Sequence, residues 1–203
     1  MTKPFISGLI LAAGKSSRMG RPKQLLPFQG TILLDWVLSQ VESAHGLDEV
    51  IIVLGAEADE VCCQLRITRA QVVINPVVTE GCSASYKTGI AALDPRSEAV
   101  MVILGDQPGV DSTIIAHAAK DWREKSGTIA LVSYRGHRGH PMIFASALYD
   151  QLVQLQGDKA AWKILDAHPE WVRDVELDRA FPDDVDTPQD YETLLRETTR
   201  SVP

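Results

Sequence analysis

Along the chain, short and nearly unbroken apolar runs alternate with segments whose apolar residues recur every three or four positions. The runs FISGLIL (residues 5–11), EVIIVLG (49–55), QVVIN (71–75), AVMVILGD (99–106) and TIALVSY (128–134) have strand length and β-rich composition. Helical spacing marks residues 32–41, 83–93, 111–124, 145–156 and 159–167, with Asp111 as N-cap of the third. HPMIFAS (140–146) reads as an extended segment after a turn. Strands lacking polar alternation are buried on both faces, which requires helices above and below a mostly parallel sheet. The pattern therefore predicts a three-layer, doubly wound α/β fold, with residues 1–203 as one domain. In such sheets ligands bind beyond the carboxyl ends of the strands, so the loops there carry the candidate chemistry.

Composition narrows the function classes. The chain is 45% hydrophobic and 23% charged, ordinary for a globular protein, and its net charge is −7. No long basic run supplies a nucleic-acid face. The apolar run near the N-terminus is too short to span a bilayer and lacks a signal-like layout. Cys62, Cys63 and Cys82 form neither a CxxC pair nor a metal-ligand spacing with histidine, which fits a reduced, cytoplasmic protein.

The loop after the first strand is the most informative segment: LILAAGKSSRMGRPKQLLP (9–27). Gly14 and Gly20 bracket two serines and two cations, with Arg21 and Lys23 just beyond. Small residues let backbone N–H groups approach an anion, and the cations neutralise phosphate charge. It is neither of two familiar phosphate loops. Five residues separate Gly8 from Gly14-Lys15-Ser16, where a Walker A loop needs four, and no GxGxxG is present.

LAAGKSSRMGRPKQLLP instead resembles the LAxGxSxRMGxxKxLLP signature of the MobA-like nucleotidyltransferases, within the wider pyrophosphorylase superfamily. The resemblance implies a Rossmann-like nucleotidyltransferase fold. It also implies that the backbone of Leu11, Ala12, Ala13 and Gly14 meets the nucleotide, while Arg18 and Lys23 hold the triphosphate.

Further segments fit in family order. Asp106, at the end of an apolar strand, is placed to hold a hard cation or to form an Asx turn, and resembles the family's metal-binding aspartate. In DVDTPQDY (184–191), Asp186 or Thr187 caps a helix beginning near Pro188. The equivalent family segment returns to the site, which makes Asp186 a metal ligand, a cap, or both. NPVVTEGCSAS (75–85) resembles NPxxxxGxxxS, implying nucleotide contact by Asn75, Gly81, Ser83 and Ser85. YRGHRGHPMIF (134–144) offers Arg135, Arg138 and His140 as a cationic turn facing an anionic acceptor, and its GHP resembles the branch that matures molybdenum cofactor. GDKAAWKIL (157–165) resembles that branch's GDKGARxLL, but Ala161 and Trp162 depart from it, leaving Trp162 open to a core role.

The resemblance implies a Mg²⁺-dependent enzyme in which an acceptor phosphate attacks the α-phosphorus of a nucleoside triphosphate and expels pyrophosphate. Positioning and charge neutralisation dominate such chemistry, which suits a sequence without a Ser/His/Asp grouping. LAAG, against the LAGG typical of guanine transfer, points to CTP, with molybdopterin as acceptor and transient contact with a molybdenum enzyme. Open alternatives are a guanylyltransferase, another phosphorylated acceptor, or a silent carrier delivering cofactor to a molybdenum enzyme. A Rossmann oxidoreductase fits the sheet but lacks the glycine fingerprint.

Overall fold

Four of the five apolar runs form strands buried along nearly their whole length, whereas the run at residues 71–74 forms an edge strand exposed at both ends. β1 (Ile6–Ala12) is buried at every position, as is β7 (Ile129–Tyr134). β4 (Glu49–Leu54) and β6 (Ala99–Leu104) each leave only one residue partly exposed. The computed structural model describes residues 3–77, 82–125, 127–157 and 160–200. With β5 (Gln71–Ile74), β8 (His137–Ala145) and β9 (Val172–Leu177), these strands make a seven-stranded sheet in the order β5-β4-β1-β6-β8-β7-β9. Every pairing is parallel except the two made by β8.

Within each strand, alternate residues face opposite layers. Ile6, Ile10 and Ala12 of β1 join one core with helices α1 (Leu33–Ser43), α2 (Ala58–Cys62) and α4 (Ser112–Lys125). Leu9 and Leu11 join the other, with α3 (Cys82–Ala91), α5 (Tyr149–Gln154) and α6 (Ala160–Ala167). Each buried Leu or Ile contributes roughly 1.5–3 kcal/mol of transfer free energy, and the two cores together clamp the sheet. Where α3 crosses β1, Gly89 brings the backbones close: a Cβ there would lie 2.4 Å from a Leu9 methyl.

A third, smaller cluster lies behind the loop after β1. Met19 and Leu26 of that loop pack with Phe28, Leu33 and Val185, against Trp36, Tyr191 and Leu194. Phe28 belongs to a two-residue ladder, β2 (Pro27–Phe28) with β3 (Thr31–Ile32), and the last two residues to α7 (Pro188–Arg200). The Tyr191 hydroxyl donates to the Pro27 carbonyl at 2.5 Å. Among the described residues, no helix is long and apolar enough to cross a membrane.

Most expected elements appear, with informative differences. Asp111 does cap α4: its Oδ1 accepts from the Thr113 and Ile114 amides, both at 2.9 Å. The extended segment expected at 140–146 belongs, up to Ala145, to the nine-residue β8, and a 3-10 turn over Ser146–Leu148 follows, so the α-helix expected from residue 145 begins only at Tyr149. Residue 32, expected to be helical, pairs in β3. β9 was not expected; its sequence VRDVEL carries charges because it is an edge strand with only β7 beside it. Trp162 is not core: it stands 37% exposed on α6, whereas Ala161 is buried.

Candidate active site

β1 and β6 run side by side and end at the same edge, so the segments that follow them meet. Gly105 N donates to the Leu11 carbonyl at 3.0 Å, continuing the ladder one step beyond β6. A Cβ on Gly105 would lie 2.8 Å from that of Ala12 and 3.0 Å from Leu34, so only glycine lets the strands end this close. Asp106 is therefore delivered beside the loop of residues 13–26.

That loop is braced from within. Ser16 takes a positive φ of 52° and Gly20 one of 71°, turning the chain back. Ser16 Oγ accepts from the Lys23 amide at 3.0 Å, and the buried Gln24 amide donates to the carbonyls of Ala12 at 2.9 Å and Gly14 at 3.1 Å. The result is an open cleft of about 670 Å³. Its lining includes the backbone run from Leu11 to Gly14, Lys15, Arg18, Lys23, Cys82, Ser85, Asp106, Gly157 and Asp186.

Lys23 is the centre of the charge arrangement. Its ammonium donates to Asp106 Oδ2 and, at 2.9 Å, to Asp186 Oδ1, while Arg18 reaches Asp186 Oδ2 at 2.8 Å. The Lys23 side chain is only 13% exposed. Burial alone would lower its pKa, but the carboxylates of Asp106 and Asp186 reverse the effect and hold it above its ordinary value. Desolvation likewise works against ionised Asp186, yet Lys23 and then Arg18 keep its carboxyl below the usual range.

Asp186 arrives by a strap of irregular chain, residues 178–186, laid across the same edge. The Val185 amide donates to the Asp106 carbonyl at 3.0 Å, and Gln107 Nε2 to Asp184 Oδ1 at 2.6 Å. Phe181 packs edge-on to Tyr134, at 5.6 Å between ring centroids, over Gly139. Thr187 Oγ1 accepts from the Asp190 amide at 3.2 Å, and Asp190 Oδ2 accepts from the Thr187 and Asp186 amides at 2.7 and 3.1 Å. This reciprocal cap makes Thr187 the cap of α7 and leaves the Asp186 carboxylate for the cleft. Desolvation, together with the nearby Asp106 and Asp186, pushes the Asp184 carboxyl up to about 6.

Among the described residues, no group of three or more His, Cys, Asp or Glu is placed to hold a metal ion. Two carboxylates, Asp106 and Asp186, do flank one point in the cleft, and Asp106 Oδ1 is buried with no hydrogen-bond partner. A hard cation taking one or two carboxylates and completing its shell with substrate phosphates and water fits that set.

Of the residues expected from sequence, the structure gathers Leu11, Ala12, Ala13, Gly14, Arg18, Lys23, Ser85, Asp106 and Asp186 around the cleft. Gly81 lies outside the described residues. Asn75 is buried and its side chain is engaged locally, accepting from the Val77 amide at 2.9 Å and donating to Ser85 Oγ at 3.3 Å. Ser83 faces the 155–157 loop, accepting from the Gly157 amide at 3.2 Å, outside the cleft lining.

The expected cationic turn also lies away from that lining, at the β7–β8 hairpin on the same sheet edge. Arg135 is paired with Asp178 at 2.7 Å and Arg138 holds Asp174 by two bonds of 2.6 and 2.9 Å. His140 corrects the expectation: it is buried, and desolvation pushes its pKa down to about 4, so it is neutral rather than cationic at pH 7. Residues that sequence reasoning missed are Gln24, Gly105, Gln107 and Asp184. Gln24 stood inside the matched signature, and Asp184 two positions before Asp186 in DVD, where strand-like alternation could have put both on one side.

Comparison with known proteins finds relatives along nearly the whole chain. A family model for the MobA-like NTP transferase domain matches residues 8–172. The chain is 32% identical to nicotine blue oxidoreductase of Paenarthrobacter nicotinovorans, over 95% of this chain and 97% of that one. It is 28% identical to the molybdenum cofactor cytidylyltransferase of Escherichia coli (96% and 97%) and 27% identical to the purine catabolism protein PucB of Bacillus subtilis (97% and 98%). Among solved structures, Rv0371c of Mycobacterium tuberculosis superposes with a TM-score of 0.86 at 34% identity, covering 96% of this chain and all of that one. Its manganese complex gives 0.80 at 32% identity, with the same coverage. The 4-diphosphocytidyl-2C-methyl-D-erythritol synthase of Anaerococcus prevotii, at 17% identity, shares the nucleotidyltransferase fold with a TM-score of 0.79 over 97% of each chain.

Proposed function

Because the chain belongs to the MobA-like NTP transferase family, we propose that it is a Mg²⁺-dependent nucleotidyltransferase that transfers CMP from CTP to molybdopterin and releases pyrophosphate. The observation that carries this reading is Lys23 held between Asp106 and Asp186 at the mouth of β1 and β6. A lysine flanked by carboxylates in a cleft lined by the loop of residues 11–18 suits a triphosphate that arrives with a cation.

The acceptor's phosphate oxygen forms a bond to the α-phosphorus of CTP, the bond to the β-phosphate oxygen breaks, and pyrophosphate leaves with its electron pair. Lys23 and Arg18 neutralise charge on the triphosphate, and the braced loop from Leu11 to Gly14 orients it. Asp106 and Asp186 would hold Mg²⁺, which supplies further charge neutralisation at phosphate oxygens; a relative crystallised with manganese supports a divalent ion. No general base is needed, since a phosphate acceptor is anionic near neutral pH. The acceptor would lie towards the β7–β8 hairpin, where Arg135 and Arg138 are the exposed cations. CTP is preferred over GTP because of the LAAG resemblance and the full-length likeness to a cytidylyltransferase.

The 32% likeness to nicotine blue oxidoreductase favours a second reading, redox turnover of a small molecule in the same cleft. The first reading is preferred because the matching family model is that of an NTP transferase domain and the loop after β1 lacks the GxGxxG fingerprint of a dinucleotide site. One experiment separates the two. The purified protein is given Mg²⁺, molybdopterin and each of CTP, GTP, ATP and UTP, and pyrophosphate is measured; a parallel sample is given nicotine blue with a reduced nicotinamide cofactor as two-electron donor. Pyrophosphate released with CTP in preference supports the proposal. GTP preference moves the protein to guanylyl transfer, and conversion of nicotine blue without pyrophosphate sinks the transferase reading.

A further inference from the structure

Lys23 holds the two carboxylates that would hold a divalent cation. Its ammonium is bonded to Asp106 Oδ2 and lies 2.9 Å from Asp186 Oδ1, while Arg18 takes the other Asp186 oxygen at 2.8 Å. Two cations thus face two anions, and the cluster is close to neutral before any ligand arrives. Asp106 Oδ1 is the one oxygen of that pair of carboxylates with no partner, and it is buried. A divalent ion added to this arrangement would meet two positive charges, and the repulsion is strongest from the Lys23 ammonium, which is largely shielded from water while Arg18 is exposed.

Resting on the nucleotidyltransferase reading, we infer that Lys23 is the resident counter-ion of the cation site, so that a divalent ion binds well only when a triphosphate draws the Lys23 ammonium away. The side chain has the reach for both positions. Its backbone is fixed by the Ser16 hydroxyl at 3.0 Å and by the neighbouring Gln24 brace, but the four-carbon stem ends in the cleft that residues 11–18 also line. A polyanion lying along that loop offers the ammonium phosphate oxygens in exchange for Asp106 and Asp186. The vacated carboxylates then face a cation that the same polyanion attracts. Cation and nucleotide therefore bind with positive coupling, each raising the affinity of the other by the same factor. Lys23 thereby also keeps paired carboxylates from collecting divalent ions in an enzyme that has no nucleotide.

The test is a titration of the nucleotide-free protein with Mn²⁺ alone, following free Mn²⁺ by electron paramagnetic resonance. Lys23→Met should bind Mn²⁺ at least ~10-fold more tightly than the native protein, because a repelling unit charge has gone. Lys23→Arg, which keeps the charge, should stay near the native affinity. Lys23→Gln serves as a second neutral variant should the Met variant fold poorly by circular dichroism. Equal or weaker Mn²⁺ binding in the neutral variants overturns the inference. Failure of the function itself reads differently: native protein that binds no nucleoside triphosphate, with or without Mn²⁺, removes the transferase reading, while the Mn²⁺ comparison still decides the counter-ion role.

Discussion

The side-chain amide of Gln24 donates to the carbonyl of Ala12 at 2.9 Å, joining the far limb of the loop to the last residue of β1. The same amide reaches Gly14 at 3.1 Å, so one buried group sets the width of the turn across which the nucleotide would lie. Gln24→Leu keeps the bulk and removes both bonds. It should lower stability by roughly 1–3 kcal/mol in urea unfolding. It should also lower kcat/KM for the triphosphate by about 10-fold or more, since small misplacements of a bound reactant are costly.

Asp106→Asn keeps the shape of the side chain while removing one of the two charges beside Lys23. Turnover measured as pyrophosphate release should fall by at least ~10²-fold, comparable with losing one preorganised electrostatic group. Circular dichroism should be unchanged. Near-normal turnover in a folded Asp106→Asn sample would remove Asp106 from the cation site.

Gly105→Ala tests the close approach of β1 and β6. The added methyl meets Ala12 at 2.8 Å and Leu34 at 3.0 Å, and the Leu11 carbonyl lies 3.3 Å away, so neither strand end can yield cheaply. Destabilisation of about 1–3 kcal/mol is expected from such overpacking. Because Asp106 follows directly, turnover should fall more than stability alone explains. A variant with native melting temperature and native turnover would contradict the packing argument.

His140 gives the protein an acid-sensitive element. Its folded pKa, about 4, lies below the ordinary value of 6.5, so the neutral form is favoured in the fold. The stability this provides is complete above about pH 6.5 and is lost as pH falls towards 4, where the unfolded chain binds the extra proton first. Urea midpoints should therefore decline over that window. In His140→Asn, which cannot take up the proton, the decline should be shallower. Identical slopes would show that other groups control acid unfolding.

Lys23, Asp106 and the run from Leu11 to Gly14 were readable in the sequence because a long ungapped signature and a strand-end aspartate sit where a parallel sheet puts its ligands. For Asp186 the sequence left cap and cleft roles open. The hydroxyl of Thr187 decides between them by taking the cap, which depends on rotamers that no spacing reveals. Gln24 was hidden because a glutamine between Lys23 and Leu25 looks like any solvated loop residue until its carbonyl partners are located. His140 was misjudged because charge was counted along the hairpin without knowing which side faced the core. β9 was missed because an edge strand tolerates charges that disguise it.

The antiparallel strand of the seven-stranded sheet, β8, changes what the sheet can present. In a fully parallel arrangement the chain leaves the ligand edge after every strand and must travel back beneath a helix before returning. The β7–β8 hairpin turns at that edge, so residues from the end of one strand and the start of the next are displayed together beside the strap. Exchanges at residues 136–138 would alter the surface beside the strap without touching a helix, the braced loop or the Arg135–Asp178 pair at the start of the strap. Under the proposed function, the surface that meets the acceptor can thus drift independently of the machinery that handles the nucleotide.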